Sequence, residues 1–158
     1  MPSISTDITI AAPPSAVRRV FLDFASYPQW NPFMTSVQVP DPAVPPGTPF
    51  QLYAWKFFVD RSTVVENDSG TFAWIGGAAG LARCMPFFQG HHYFKFEPFG
   101  ESEDEARECK FVQSEEFGGI LSIFSFIYGP ILKKGFNQMN KALKVRVETL
   151  AAASGDTS

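Results

Sequence analysis

The stretch Pro130-Ile-Leu-Lys-Lys-Gly-Phe-Asn-Gln-Met-Asn-Lys-Ala-Leu-Lys-Val-Arg-Val-Glu-Thr-Leu150 decides how the rest of the chain is read. Leu132, Phe136, Met139, Leu143, Val147 and Leu150 follow at spacings of 4, 3, 4, 4 and 3, which is one apolar stripe along a helix. Lys133, Lys141, Lys144 and Glu148 fall on its other faces. A stripe of this kind is stabilised by burial against an apolar surface, so a partner surface has to come from upstream. Beyond Leu150 the residues Ala-Ala-Ala-Ser-Gly-Asp-Thr-Ser predict a flexible tail over 151–158, leaving residues 1–150 as a single domain.

Immediately upstream, Gly118 to Gly129 predicts an earlier helical segment, kinked where Pro130 removes a hydrogen-bond donor. Within it, Ile120 to Tyr128 is apolar nearly all round and suits burial or a lipid surface equally well. No basic residue flanks its start to attract anionic lipid, so burial is expected.

Further upstream the signal is β. Phe50–Phe57, Val59–Glu66, Thr71–Ile75, Gln89–Phe99 and Arg107–Phe117 read as strands, with Asn67-Asp68-Ser69-Gly70 as a hairpin turn. A Gly-rich loop from Gly76 to Phe88 predicts a mobile flap, and Gly100 to Glu105 an acidic, solvated turn. At the N-terminus Ile4, Ile8 and Ile10 mark a strand that Pro13–Pro14 closes. Val17, Val20, Phe21 and Phe24 then mark a helix, with Ser15 near its start. Prolines 28 and 32 break that helix, a short helix or turn spans Trp30 to Phe33, and Met34–Val39 is a strand before a proline-rich edge loop. The order is strand, two short helices, six strands, long helix. It implies an α+β domain with a curved antiparallel sheet of about seven strands around the C-terminal helix.

Composition narrows the function. At 158 residues, 45% apolar and 18% charged, the chain is an ordinary globular domain. Its 17 Phe, three Trp and four Tyr exceed what a compact core of this size needs, so the rings pack a bulky core or line a pocket. A net charge of −3, with only isolated basic pairs at Arg18–Arg19 and Lys133–Lys134, argues against nucleic acid. The N-terminus has no secretory pattern, and Gly118–Leu132 is too short to span a bilayer, so no stable membrane insertion is expected. Cys84 and Cys109 form no metal or redox motif and read as reduced thiols of a cytoplasmic protein. No zinc spacing and no Ser/His/Asp pairing appears, so no metal and no cofactor is expected.

The candidate site comes from strand parity. His91 and His92 are adjacent and point to opposite faces, so they do not chelate one metal together. His92 shares the parity of Phe94 and Phe96 and therefore faces inward. It is either a structural histidine in the wall or an imidazole that touches a ligand or moves a proton. On the next strand Cys109, Phe111, Gln113, Glu115 and Phe117 share a face. Glu115 there is either paired or pKa-shifted. If Pro98 faces Arg107 in a hairpin, His92 sits opposite Gln113 and diagonal to Glu115. Trp30, Tyr53 and Trp74 read as pocket walls, with plain core as the alternative. Arg61 and Arg83 are either surface residues or partners for an anionic group.

One resemblance covers nearly the whole chain. Ile8-x-Ile10-x-Ala12-Pro13, then Asp23-Phe24-x-x-Tyr27-Pro28-x-Trp30-Asn31-Pro32-Phe33, resembles the opening of the START-like polyketide cyclase/dehydrase superfamily (the SRPBCC group). Phe72-x-Trp74-x-Gly76, Gly90-x-His92-x-Phe94-x-Phe96-x-Pro98, Glu115-x-Phe117-x-Gly119 and Phe136-x-x-Met139-Asn140 are similar to later parts of that group. The resemblance implies a helix-grip fold, START/Bet v 1-like, with an internal apolar cavity. It also implies a small hydrophobic ligand, aromatic or polyketide-like, bound by Trp30, Tyr53, Trp74, Arg83, Phe94, Phe96, Phe111, Phe117, Phe136 and Met139. Cofactor-independent cyclase, dehydratase or isomerase chemistry would fall to His92 with Glu115 or Gln113. The alternative is a non-catalytic carrier or sensor of a lipid or other hydrophobe, acting as a monomer or homodimer. Fold does not choose between these.

Overall fold

The computed structural model describes residues 2–78, 89–100, 107–119, 122 and 125–155. The flap expected at Gly76–Phe88 lies outside them from residue 79, as do Arg83, Cys84, the acidic run Glu101–Glu105 and much of Ile120–Phe124.

Seven strands are present: β1 (Ser3–Ile10), β2 (Met34–Gln38), β3 (Pro49–Ala54), β4 (Phe58–Asn67), β5 (Thr71–Ala78), β6 (Gln89–Phe99) and β7 (Glu108–Gly118). They form one sheet in the order β1-β7-β6-β5-β4-β3-β2, and every neighbouring pair is antiparallel. Helices α1 (Pro14–Leu22) and α2 (Tyr27–Trp30) follow β1, and α3 (Ser125–Gly155) closes the chain.

Local chemistry accounts for the joints. Asp68 Oδ1 accepts from the amides of Gly70 (2.8 Å) and Thr71 (2.7 Å), which closes the β4–β5 turn and holds the Asp68 carboxyl below its usual range. Pro14 opens α1 at the position where a missing N–H costs nothing, and no side chain caps that helix, Ser15 included. The C-terminal half of α3 is pinned to β1. Lys144 Nζ donates to the Thr9 carbonyl at 2.7 Å, and Glu148 accepts from the Ala11 amide at 2.9 Å.

The stripe on α3 lands where its period requires. Phe136, Met139, Leu143 and Val147 are buried, with Phe136 packed on His92 and Phe33 and Met139 beside Gln113; the inner sheet face also carries the buried rings Phe72, Trp74, Phe94, Phe96, Phe111 and Phe117. The abundant rings mostly pack on one another. Phe21, from α1, sits 4.6 Å from Phe94, 5.4 Å from Phe96, 5.7 Å from Phe72 and 5.9 Å from Phe111, centroid to centroid.

Several expectations need correcting. β5 runs on through Ala78, past the Gly76 start expected of the flap, and the short helix lies at Tyr27–Trp30 rather than Trp30–Phe33. The β6–β7 register places Pro98 opposite Cys109, not Arg107, so His92 faces Glu115 and Phe94 faces Gln113. A shift of two residues keeps every side chain on its face, so parity could not exclude it. Phe57 is not in a strand but at the tip of the β3–β4 hairpin. Finally, Phe126 and Ile127 are not buried but exposed, at 74% and 57%. Read backward from Leu132, the α3 stripe passes through buried Gly129 and turns residues 126 and 127 outward.

The pairs Asp60–Ala78, Gly76–Gly90 and Gln89–Gly118 gather the start of β4, the end of β5, the start of β6 and the end of β7 at one end of the sheet. The first turn of α3 joins them, since Tyr128 packs 5.2 Å from Phe117. This end of the sheet, where α3 starts, is termed the mouth. The opposite end carries the 68–70 turn and the pair Phe99–Glu108.

Candidate functional site

The interior divides in two. Toward the far end it is filled by the rings around Phe21. Toward the mouth the inward positions of four strands carry polar groups: Asp60 and Ser62 on β4, His92 on β6, Gln113 and Glu115 on β7, and Thr6 on β1.

His92 is 4% exposed and boxed by three rings, with Trp74 at 4.9 Å, Phe94 stacked at 4.4 Å and Phe136 at 4.7 Å. Removal from water, with a smaller push from His91, drives its pKa down to about 3, so the ring is neutral at pH 7. Gln113 Nε2 lies 3.0 Å from His92 Nε2. With the amide donating, Nε2 accepts and the ring proton lies on Nδ1. Gln113 is itself fully buried, and Met139 Sδ lies 4.0 Å from its amide nitrogen. Beside it Asn140 donates to Thr6 Oγ1 at 3.0 Å. Two buried amide oxygens, Gln113 Oε1 and Asn140 Oδ1, have no hydrogen-bond partner among the described residues. Buried acceptors that the described residues leave unsatisfied are uncommon in a folded interior.

Glu115 stands directly across the ladder from His92. Burial, and then the neighbouring charge of Asp60, push its carboxyl up to about 8, so it holds its proton at neutral pH. Among the described residues no salt bridge reaches it. Glycines explain how two carboxyls come close. Gly76 and Gly90 are partners in the β5–β6 ladder. A Cβ on Gly76 would collide with Ser62 Oγ and stand 2.6 Å from Asp60 Oδ2, and a Cβ on Gly90 would collide with Glu115 Oε1. The side chains of Asp60 and Ser62, joined by a 2.9 Å hydrogen bond, and of Glu115 thus lean over a floor without side chains.

The structure brings together His92, Gln113, Glu115, Trp74, Phe94, Phe136 and Met139, with Phe117 at the mouth. Phe96 and Phe111 are also buried but pack under α1. Trp30 and Tyr53 do not join them. They line an open groove of about 820 Å³ with Asn31, Thr35, Ser36 and Lys56, on the outer side of β2 and β3. Tyr53 alternates with the buried Leu52 and Ala54, which turns it outward. Asp60, Ser62, Gly76 and Gly90 were not singled out from sequence as a site. The signal for the first two was available, because both share the inward parity of Val64. Two other candidates are chemically quiet. Burial and nearby Glu97 push the Cys109 thiol up to about 12, and His91 faces outward, stacked on Tyr93 with Nδ1 2.7 Å from its hydroxyl. No group of His, Cys, Asp and Glu among the described residues is arranged to hold a metal ion.

Residues 1–153 match the sequence profile of the family described as polyketide cyclase/dehydrase and lipid transport. The chain belongs to that family. Its fold is shared by the Zhui aromatase/cyclase from Streptomyces sp. R1128, at TM-score 0.74 and 13% identity over 98% of each chain. A norcoclaurine synthase point mutant from Thalictrum flavum, solved with a transition-state analogue, superposes at TM-score 0.70 and 14% identity over 95% of this chain and 96% of that one. A START superfamily protein from Mycobacterium smegmatis does so at 0.67 and 19%, over 94% and 98%. The helix-grip architecture is thereby established, and these low identities carry nothing about chemistry. No functionally curated protein matches the chain.

Proposed function

We propose that the domain binds a small, largely apolar molecule bearing hydroxyl or carbonyl groups, aromatic or polyketide-like, and acts on it as a cofactor-independent cyclase, dehydratase or isomerase. The observation that carries this reading is the protonated Glu115 facing a neutral His92 among rings. Groups this costly to bury stabilise the fold less than apolar residues would, which favours a chemical use. In a dehydration, Glu115 gives its proton to the departing hydroxyl, which leaves as water, and the carboxylate then takes the proton from the adjacent carbon. His92, held by Gln113, orients the ligand through its ring edge, and Trp74 and Phe136 supply flat walls. The family description, which names both polyketide chemistry and lipid transport, supports this reading and its rival equally.

The rival is carriage without chemistry. The engagement of His92 Nε2 by Gln113 favours it, because that nitrogen is then not free to act as a base. The test is native mass spectrometry of the purified protein, followed by incubation of the identified ligand class with wild type and Glu115→Gln. A bound hydrophobic molecule converted only by wild type supports the enzyme. A molecule returned unchanged by both supports the carrier, and persistent failure to bind any such molecule overturns both.

A further inference from the structure

The mouth is rimmed by apolar side chains that no described part of the protein covers. Phe57 is 80% exposed and Phe58 45% exposed at the β3–β4 hairpin; on the first turns of α3, Phe126 is 74% exposed and Ile127 and Ile131 57% each. Single exposed apolar residues are ordinary, but two such sets at one end of a sheet are not. Phe57 is not there through fraying. Trp55 and Lys56 both adopt positive φ, +48° and +71°, in the three-residue turn between the paired Ala54 and Phe58. The turn lays Trp55 on Phe33, at 4.8 Å, and sends Phe57 outward. At about 100° per residue, Phe126, Ile127, Ile131 and Lys134 share the side of α3 away from buried Phe136, Met139 and Leu143.

Charge decides the occupant. Lys56, Lys133 and Lys134 are exposed at this rim. Two of the acidic groups at this end, Asp60 and Glu115, face inward, and Glu115 is protonated at neutral pH; Glu116 is the acidic group on the outer face. The sequence's acidic run, Glu101–Glu105, connects Phe99 to Glu108 at the opposite end. A chain of net charge −3 is thus positive where it is apolar. A second copy would bring the same excess of positive charge, which disfavours self-association through this face.

We propose that this rim docks on an anionic lipid bilayer, with Phe57 and Phe126 entering the headgroup layer and Lys56 and Lys134 holding the surface charge. This end of the sheet would then face the membrane, whichever reading of the interior holds. The test is co-sedimentation with phosphatidylcholine vesicles, with and without phosphatidylglycerol, at low and high salt. Wild type is expected to sediment with the anionic vesicles alone, and to be released by salt. Phe57→Asp with Phe126→Asp, and separately Lys56→Glu with Lys134→Glu, should lower the bound fraction at least about tenfold while circular dichroism stays native. Phe99→Asp, an exposed ring at the opposite end, should change nothing. No sedimentation of wild type, an equal loss in Phe99→Asp, or a dimer that Phe57→Asp dissolves would overturn the proposal. Native mass spectrometry on the same samples separates the two ideas. A protein that keeps its ligand but ignores vesicles refutes docking alone.

Discussion

Glu115 and His92 stand opposite each other across the β6–β7 ladder, and burial makes both neutral at pH 7 by opposite routes. Burial keeps the carboxyl protonated and the imidazole unprotonated. Directly opposed Cβ atoms lie about 4.5–5.5 Å apart, so a ligand atom between the two side chains meets a donor on one side and a ring on the other.

The pair has opposite effects on stability. With its pKa raised to about 8, folded Glu115 keeps a proton that the unfolded chain loses near the usual carboxylate range. Stability therefore falls as pH rises from there through about 8. Glu115→Gln should flatten the decline of melting temperature over that window. An unchanged slope would show that Glu115 is ionised in the fold.

His92 acts at the acid end. Its pKa is lowered to about 3, so below the ordinary imidazole range the unfolded chain binds a proton that the folded one refuses, and stability falls with pH. His92→Gln should move the midpoint of acid unfolding, followed by circular dichroism, to lower pH. His92→Ala should lower turnover or ligand affinity at least about tenfold, roughly 1.4 kcal/mol, in a protein that remains folded. Wild-type affinity and turnover in that variant would leave this histidine a structural role only.

Gly90→Ala tests the glycine floor. The added methyl must displace the Glu115 carboxyl group, the end of a flexible side chain, so the fold should survive with a modest loss of melting temperature. Ligand affinity or turnover should fall toward that of Glu115→Gln. Undiminished activity would mean that the position of Glu115 over Gly90 is immaterial.

Phe21→Ala tests the far half of the interior. This ring is fully buried among Phe24, Tyr27, Phe72, Phe94, Phe96 and Phe111, so its loss should cost about 3–5 kcal/mol in urea denaturation. A cost under about 1 kcal/mol would mean that the neighbouring rings collapse into the space.

Periodicity made most of the architecture legible. The spacing from Leu132 to Val147 could bury only one face of a helix, and alternation along residues 90–98 and 109–117 could put His92, Gln113 and Glu115 only on the side of the rings. Side-chain direction is a local property of a strand or helix, so the sequence by itself determined which residues face inward. It did not determine register, because a slip of two residues leaves every face unchanged; only the three-dimensional pairing set Glu115, not Gln113, against His92. Nor could it place Asp60 near Glu115, since that approach crosses Gly76 and Gly90 on two intervening strands. The protonation states followed from the same source. Desolvation and neighbouring charge depend on which groups from distant parts of the chain enclose a side chain, and that enclosure exists only once the sheet has closed around α3.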